Sequence, residues 1–264
     1  MSAQQRSKLC NRRAPLAFEF LVVIDFECTC EAGAWDYGHE IIEFPAVLVR
    51  CAEAEVVAEF HTFVRPTENR TLSAFCTGLT GIDQSTVDAA PPLLEALEAF
   101  DAWLSSHGLL PPGALGAEAA AELRTFALAT DGPWDLNAFL AVEGRRKGGV
   151  LAAHLAARPH FARWVNLRWL HAAFYSRPLM GVKACLGFHG LAFEGREHSG
   201  IDDTRNIARI AQRLLRDGST AALNDGLTPE HAVAWRPLKR KKGGGRKRGA
   251  IPPAAPPAPL AAPP

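Results

Sequence analysis

Five consecutive apolar residues, Phe20-Leu21-Val22-Val23-Ile24, run directly into Asp25-Phe26-Glu27. An unbroken apolar run this short reads as a strand buried on both faces, the kind found in a sheet covered by helices on each side. It ends on two carboxylates. The two-residue period of a strand places Asp25 and Glu27 on one face, about 6.6 Å apart along the chain. At the end of an apolar strand they repel each other and lose hydration unless a cation sits between them. A solvated strand end is the plain alternative.

The pattern beyond residue 40 fills in the fold. Residues 41–49 and 56–64 alternate as the next two strands, and Arg65-Pro66 ends the second of them. Helical spacing follows at 73–79, 91–107, 134–142, 166–175 and 202–215, and a fourth strand fits 125–129. Strands in meander followed by strands delivered through helical crossovers predict an α/β fold with a mixed central sheet. Ligand sites in such sheets lie at the carboxyl ends of strands.

Two further acids fall on inward faces. In Thr130-Asp131-Gly132-Pro133-Trp134-Asp135, proline at the first helical position with Gly132 as cap starts a helix. Asp135 shares a stripe with Ala138, Phe139 and Val142, while Asp131 reads as a cap or loop-orienting residue. In His198-Ser199-Gly200-Ile201-Asp202-Asp203, the apolar stripe Ile207, Ile210, Leu214 extends back to Asp203. Asp202 falls beside Arg205, Asn206 and Arg209, as a cap or surface partner. His198 lies in the loop one turn before an inward acid. The other histidines (His39, His61, His107, His154, His160, His171, His189, His231) read as structural. Four inward acids and a histidine fit a two-metal phosphodiester hydrolase, whose divalent ions sit about 3.5–4 Å apart among oxygen ligands. All-oxygen ligation favours Mg²⁺ or Mn²⁺ over zinc.

The order Asp-x-Glu, Asp, Asp, with a histidine five residues before the last acid, resembles the DEDDh superfamily of proofreading 3′–5′ exonucleases. Five longer words narrow it. They are Asp25-Phe26-Glu27-Cys28-Thr29-Cys30, His39-Glu40-Ile41-Ile42-Glu43-Phe44-Pro45, Leu79-Thr80-Gly81-Ile82, Thr130-Asp131-Gly132-x-Trp134-Asp135, and His198-Ser199-Gly200-Ile201-Asp202-Asp203-x-x-Asn206-Ile207-Ala208. Together they resemble the family of the histone-mRNA 3′-end exoribonuclease, also known for restraining RNA interference, over about residues 20–218. The resemblance implies a ribonuclease H-like exonuclease fold, a central mixed five-stranded sheet flanked by helices. It implies Asp25, Glu27, Asp135 and Asp203 as ligands of two Mg²⁺ ions, with Mn²⁺ able to substitute. Glu27 and His198 are then the catalytic pair, His198 as general base. Phe26, Cys28 and His198 touch the terminal nucleotide, and Leu79 and Trp134 wall its base. Cys28 stands where the family usually has alanine. Residues 1–17 are too few for the N-terminal nucleic-acid-binding module of some members, and 110–121 is a Pro/Ala/Gly-rich insertion.

Charge divides the chain. The formal net charge of +1 hides four basic residues in 1–15 and seven in 239–248, with no acid in either stretch. Taking these eleven from 29 leaves 18 basic against 28 acidic residues in 16–238, a balance of −10. Such a body is a poor general nucleic-acid glove, because polyanion binding relies on Lys and Arg, and it suits carboxylates that hold metal. The expected organisation is a flexible basic arm (1–17), the exonuclease domain (18–220) and a disordered basic, Pro/Ala-rich tail (221–264). The run 239–248 reads as an address for a nuclear importer, an RNA anchor or a solvated linker. No stretch approaches a membrane span, the N-terminus lacks a secretory apolar core, and six cysteines without a CxxC read as reduced thiols. The expected partners are RNA 3′ ends, single-stranded or with short overhangs, met in the nucleus, the cytoplasm or both. The rival readings are a catalytically silent RNA-binding scaffold and a DNA exonuclease or dinucleotide-trimming enzyme of the same superfamily.

Overall fold

In β1 (Phe20–Ile24) all five side chains are buried, as an apolar run predicts for a strand covered on both faces. After a break at Asp25 and Phe26, β2 (Glu27–Cys28) continues its line. The antiparallel β3 (Ile41–Arg50) pairs with both, from Phe20 opposite Arg50 through Ile24 opposite Ala46 to Glu27 opposite Glu43. On its other edge β3 pairs antiparallel with β4 (Glu55–Phe63). The computed structural model describes residues 15–34, 37–111 and 125–228. Residues 1–14 of the arm, most of the 110–121 insertion and residues 229–264 of the tail therefore lie outside the described residues, while Ala17 of the arm donates its N–H to Thr220 O at 3.1 Å.

Three helices follow the meander: α1 (Ala74–Thr80), α2 (Gln84–Asp88) and α3 (Leu93–Ser106). The Ser73 hydroxyl caps α1 by accepting from Cys76 N at 3.0 Å. Gly81, at φ 73°, closes it in the left-handed conformation that glycine adopts freely. The chain returns through β5 (Phe126–Thr130), parallel to β1. A π-helical turn over Trp134–Leu140 leads into α4 (Ala141–Lys147) and α5 (Gly149–Ala156). A 3₁₀ turn at Pro159–Phe161 precedes β6 (Arg163–Asn166), parallel to β5. Then come α6 (Leu167–Tyr175), α7 (Val182–Phe188), α8 (Gly200–Arg216) and β7 (Asp225–Gly226), antiparallel to β6.

The sheet is mixed, as expected, with β1 at its centre. Five of its strands have four residues or more, and the two-residue strands β2 and β7 extend it to seven among the described residues. On one face Val22, Ile24, Phe44 and Leu48 pack against α3, the π turn and α5, around Phe100, Leu140 and Leu155. On the other, Leu21, Val23, Val47 and Val49 pack against α7 and α8, around Leu186, Ile207 and Leu214. Helices on both faces leave the strand ends as the place for a site.

Two expectations change. Residues 221–228, assigned to the disordered tail, belong to the folded body. Ala221 is buried, Asn224 Oδ1 accepts Asn166 N at 2.6 Å, and Asp225–Gly226 pairs with β6. Backbone pairing with β6, the Asn224 and Asp225 side chains and a few scattered apolar residues (Ala221, Leu223, Leu227) anchor this segment, too short a set to show a period. The helix after Gly132 also differs. Pro133 precedes the first turn, and that turn is π, with Ala141 N bonded to Leu136 O. The wider turn rotates Leu136 and Leu140 into the core and leaves Ala138, Phe139 and Val142 half-buried.

Candidate active site

The alternation of β1 sends Phe26 and Cys28 with Val22 and Ile24 into one core layer. Asp25 and Glu27 point to the opposite face, where α8 begins. What seats α8 there is Glu43 of β3, a buried acid opposite Glu27. Its carboxylate accepts the otherwise unpaired N–H groups of Gly200 (3.0 Å) and Ile201 (3.1 Å) at the start of α8, and the Nε2–H of His61 (2.8 Å). The side chain of Ser199, at the cap position, makes no such bond. Gly200 is required by contact: a Cβ there would lie 3.1 Å from both the Asp25 carbonyl oxygen and Glu43 Oε2. With its first turn pressed against the end of β1, α8 brings Asp203 to Asp25 and Glu27. One oxygen from each of the three carboxylates falls within 4.8 Å of the others.

Asp135 reaches the same place from the π turn. It is buried and accepts Phe26 N–H at 2.8 Å, filling the gap in backbone pairing between β1 and β2. Asp135 lies outside the 4.8 Å group, with one oxygen committed to the backbone. Asp131 pairs with Arg168, in the loop-orienting role its position suggested. Asp202 is likewise a local partner, accepting Arg196 N at 3.0 Å and lying 3.4 Å from Arg205 Nη1. His198, at φ 60°, is exposed, and its backbone N–H donates to Asp203 Oδ2 at 2.7 Å.

These groups open onto a cleft of about 370 Å³ lined by Asp25, Phe26, Glu27, Cys28, Leu79, Trp134, Asp135 and His198. Asp203 opens on an adjoining cleft that shares His198. All nine residues singled out in the sequence therefore gather at one strand end. Trp134 is 56% exposed and Leu79 half-buried, so both are walls of the cleft rather than core. The structure adds Cys30, His39, Gly132 and Phe139 to the lining, together with Asp131. His39 borders the cleft while keeping the structural contacts expected of it. Its Nδ1–H donates to Thr29 O at 2.7 Å and its ring meets Phe139 edge to face, 5.5 Å between centroids. Glu43 carries the same signal in the sequence as Asp25, an acid on the face that β3 shares with Val47 and Val49.

Charge crowding dominates the electrostatics. Burial, then the neighbouring Asp135, Asp203 and Glu27, hold the Asp25 carboxyl well above the usual carboxylate range. Burial and the Glu43, Asp203 and Asp135 carboxylates push Glu27 up to about 8. Burial raises Asp135 to about 7 against the Phe26 N–H that favours its anion, and Asp203 to about 6 against that of His198. Four carboxylates this short of positive charge fit a divalent cation, and a donor set made only of hard oxygens suits such an ion. Among the described residues the five cysteines are free, and no helix is long and apolar enough to cross a membrane.

Comparison with known proteins agrees with this geometry. Residues 22–113 match the exonuclease family model RNase_T. The zebrafish ERI1 exoribonuclease 2 is 40% identical over 241 residues, which cover 89% of this chain and 41% of that protein. The Drosophila melanogaster 3′-5′ exonuclease Snipper is 35% identical over 232 residues, covering 85% of this chain and 79% of Snipper. The nuclease domain of 3′hExo, a DEDDh family member solved bound to rAMP, superposes with a TM-score of 0.69 at 34% identity. That match covers 81% of this chain and 100% of the other. The chain spans under half the length of its vertebrate relatives named ERI1 exoribonuclease 2. Four acids and a histidine at one strand end, on a fold shared with these enzymes, place the chain in the DEDDh 3′–5′ exonuclease family.

Proposed function

We propose that this protein is a metal-dependent 3′–5′ exoribonuclease that releases nucleoside 5′-monophosphates from RNA 3′ ends, in RNA processing or decay. The observation that carries this reading is the convergence of Asp25, Glu27 and Asp203 within 4.8 Å beside a walled cleft. Asp25, Glu27 and Asp203 would hold one Mg²⁺ and Asp25 with Asp135 the second, Mn²⁺ serving in its place. When bound, such ions acidify a water and stabilise charge on the departing 3′ oxygen.

The chain's own groups do the rest. Trp134 and Leu79 flank the terminal base, and Phe26 and Cys28 form the floor beneath it. Water attacks the last phosphodiester, and its proton passes to the imidazole of His198 as general base. Asp203 holds the backbone of that histidine, so base and ligand keep one geometry. The phosphate leaves on the 5′ oxygen of the released nucleotide, and the shortened RNA ends in a 3′-hydroxyl. A walled pocket that takes one nucleotide favours cleavage at ends over internal cleavage.

RNA is supported by the exoribonuclease relatives and by two solved neighbours, one bound to rAMP and one described as recognising the histone mRNA stem-loop at its 3′ end. Single-stranded ends and short overhangs fit a cleft that receives an unpaired nucleotide. The basic run 239–248, dense in Lys and Arg and free of acids, has the composition of an importer-read address and of an RNA anchor, and the first would bring the enzyme to the nucleus as well as the cytoplasm. Labelled RNA set against DNA of the same sequence tests the reading. RNA is expected to be shortened faster, with nucleoside 5′-monophosphate as product. Faster loss of DNA reassigns the substrate, and binding without shortening indicates a silent scaffold.

A further inference from the structure

The loop that delivers His198 carries more constraints than a connection needs. Gly195 sits at φ 85°, with the Asp202 carboxyl filling the space a Cβ would take. Asp202 Oδ2 accepts the backbone N–H of Arg196, and His198 follows at φ 60°. The Arg196 side chain leaves this loop for α1. Its Nη1 donates to Thr80 O, and its Nη2 to Leu79 O at 2.9 Å and Gly78 O at 3.2 Å. These carbonyls end α1, where helical partners run out and the dipole favours a cation. Gly81 is fitted to the arrangement, since the guanidinium occupies the space of its missing Cβ.

One guanidinium thus joins two parts of the cleft. Leu79 is a wall of the nucleotide pocket, and His198 lies two residues beyond Arg196 in the loop. A planar fork with several donors holds three carbonyls in a way a lysine ammonium does not. We propose that Arg196 is a positioning residue that couples the Leu79 wall of the nucleotide pocket to the placement of His198. The inference rests on the exonuclease reading. It differs from a simple staple, which would support the loop whether or not His198 were present.

The test compares turnover on single-stranded RNA for the full chain, Arg196→Ala and Arg196→Lys, each also made on a His198→Ala background. Melting temperature and RNA affinity are measured alongside. Arg196→Ala is expected to lower kcat by roughly 10- to 100-fold, the effect of a small misplacement of a reacting group, with RNA affinity little changed. Arg196→Lys, which keeps the charge and loses the fork, recovers part of that loss. On the His198→Ala background the same Arg196 changes cost less than about 2-fold, because base placement is already gone. Equal losses on both backgrounds, or none on the parent, overturn the proposal. If Arg196→Ala does not fold, the Arg196→Lys pair carries the same comparison. A parent chain that leaves RNA intact overturns the exonuclease reading and this inference with it. A parent that shortens RNA beside an equally active Arg196→Ala overturns this inference alone.

Discussion

Asp25 stands among Glu27, Asp135 and Asp203, and each of these acids holds its proton more tightly in the folded protein than in the unfolded chain. Unfolded carboxylates titrate near about 4. The crowding costs nothing where all are protonated and destabilises the fold as pH rises through about 6, 7 and 8, the ranges of Asp203, Asp135 and Glu27. Thermal melts in EDTA should therefore fall from pH 5 to pH 8, and Mg²⁺ should raise the melting temperature more at pH 8 than at pH 5. A flat EDTA profile with no Mg²⁺ effect counts against a metal centre. Glu40 works in the opposite direction. Burial opposes its charge, but Lys147 and the N–H groups of Asn69 and Thr67 outweigh it and hold the carboxyl down at about 2. Its contribution is present above the unfolded value and is lost as pH falls toward 2. Removing the base is a separate test. His198→Ala should lower turnover by about 10²- to 10⁴-fold while RNA and Mg²⁺ still bind, and unchanged turnover would refute the role. At this scale the ligands were readable because an acid on an apolar face is costly. His39 was not, because its place in the cleft depends on pairing with Thr29, ten residues away.

Elements set the distances between these residues. Gly200 lets the first turn of α8 rest on the Asp25 carbonyl and the Glu43 carboxylate. Gly200→Ala should push that turn back, separating Asp203 from Asp25, and lower kcat by roughly 10- to 100-fold. Overpacking of this kind also lowers stability by about 1–3 kcal/mol, which a denaturant melt reads directly. Trp134→Ala should behave differently. The ring is 56% exposed, so stability should change little while KM for RNA rises; an unchanged KM removes Trp134 from the pocket wall. Among the long elements β4, α3 and α8 were legible from their periods and β1 from its unbroken apolar run, whereas β3, expected to alternate, is buried on both faces through its first nine residues. The segment between α4 and α8 was legible only in α6. Gly149–Ala156 is apolar nearly all round and shows no stripe, and Arg163–Asn166 is too short for alternation to register. The π turn was hidden as well, since a 3.6-residue stripe was the template applied to a wider turn.

For the whole molecule, residues 16–238, which contribute the acids of a site suited to cations, carry a balance of −10, and the cationic runs lie at the two ends of the chain. This division predicts that deleting 239–264 leaves kcat on saturating short RNA unchanged. The deletion should weaken RNA binding at low salt and flatten its salt dependence if the tail meets phosphate. It should shift the protein out of the nucleus if the tail is an address, and unaltered location with unaltered affinity makes it a linker. The α/β architecture and the meeting of distant acids at one strand end followed from pattern alone, whereas the order of partners around β1 needed the register. The central claim is stepwise removal of nucleotides from RNA 3′ ends by the Asp25, Glu27, Asp135, Asp203 and His198 cluster. The most direct measurement is a time course on 5′-labelled RNA, single-stranded and with a short 3′ overhang, in Mg²⁺ or Mn²⁺. The account predicts a ladder descending one nucleotide at a time, abolished by EDTA and by Asp25→Asn. Internal fragments, or full-length RNA persisting with either metal, would contradict it.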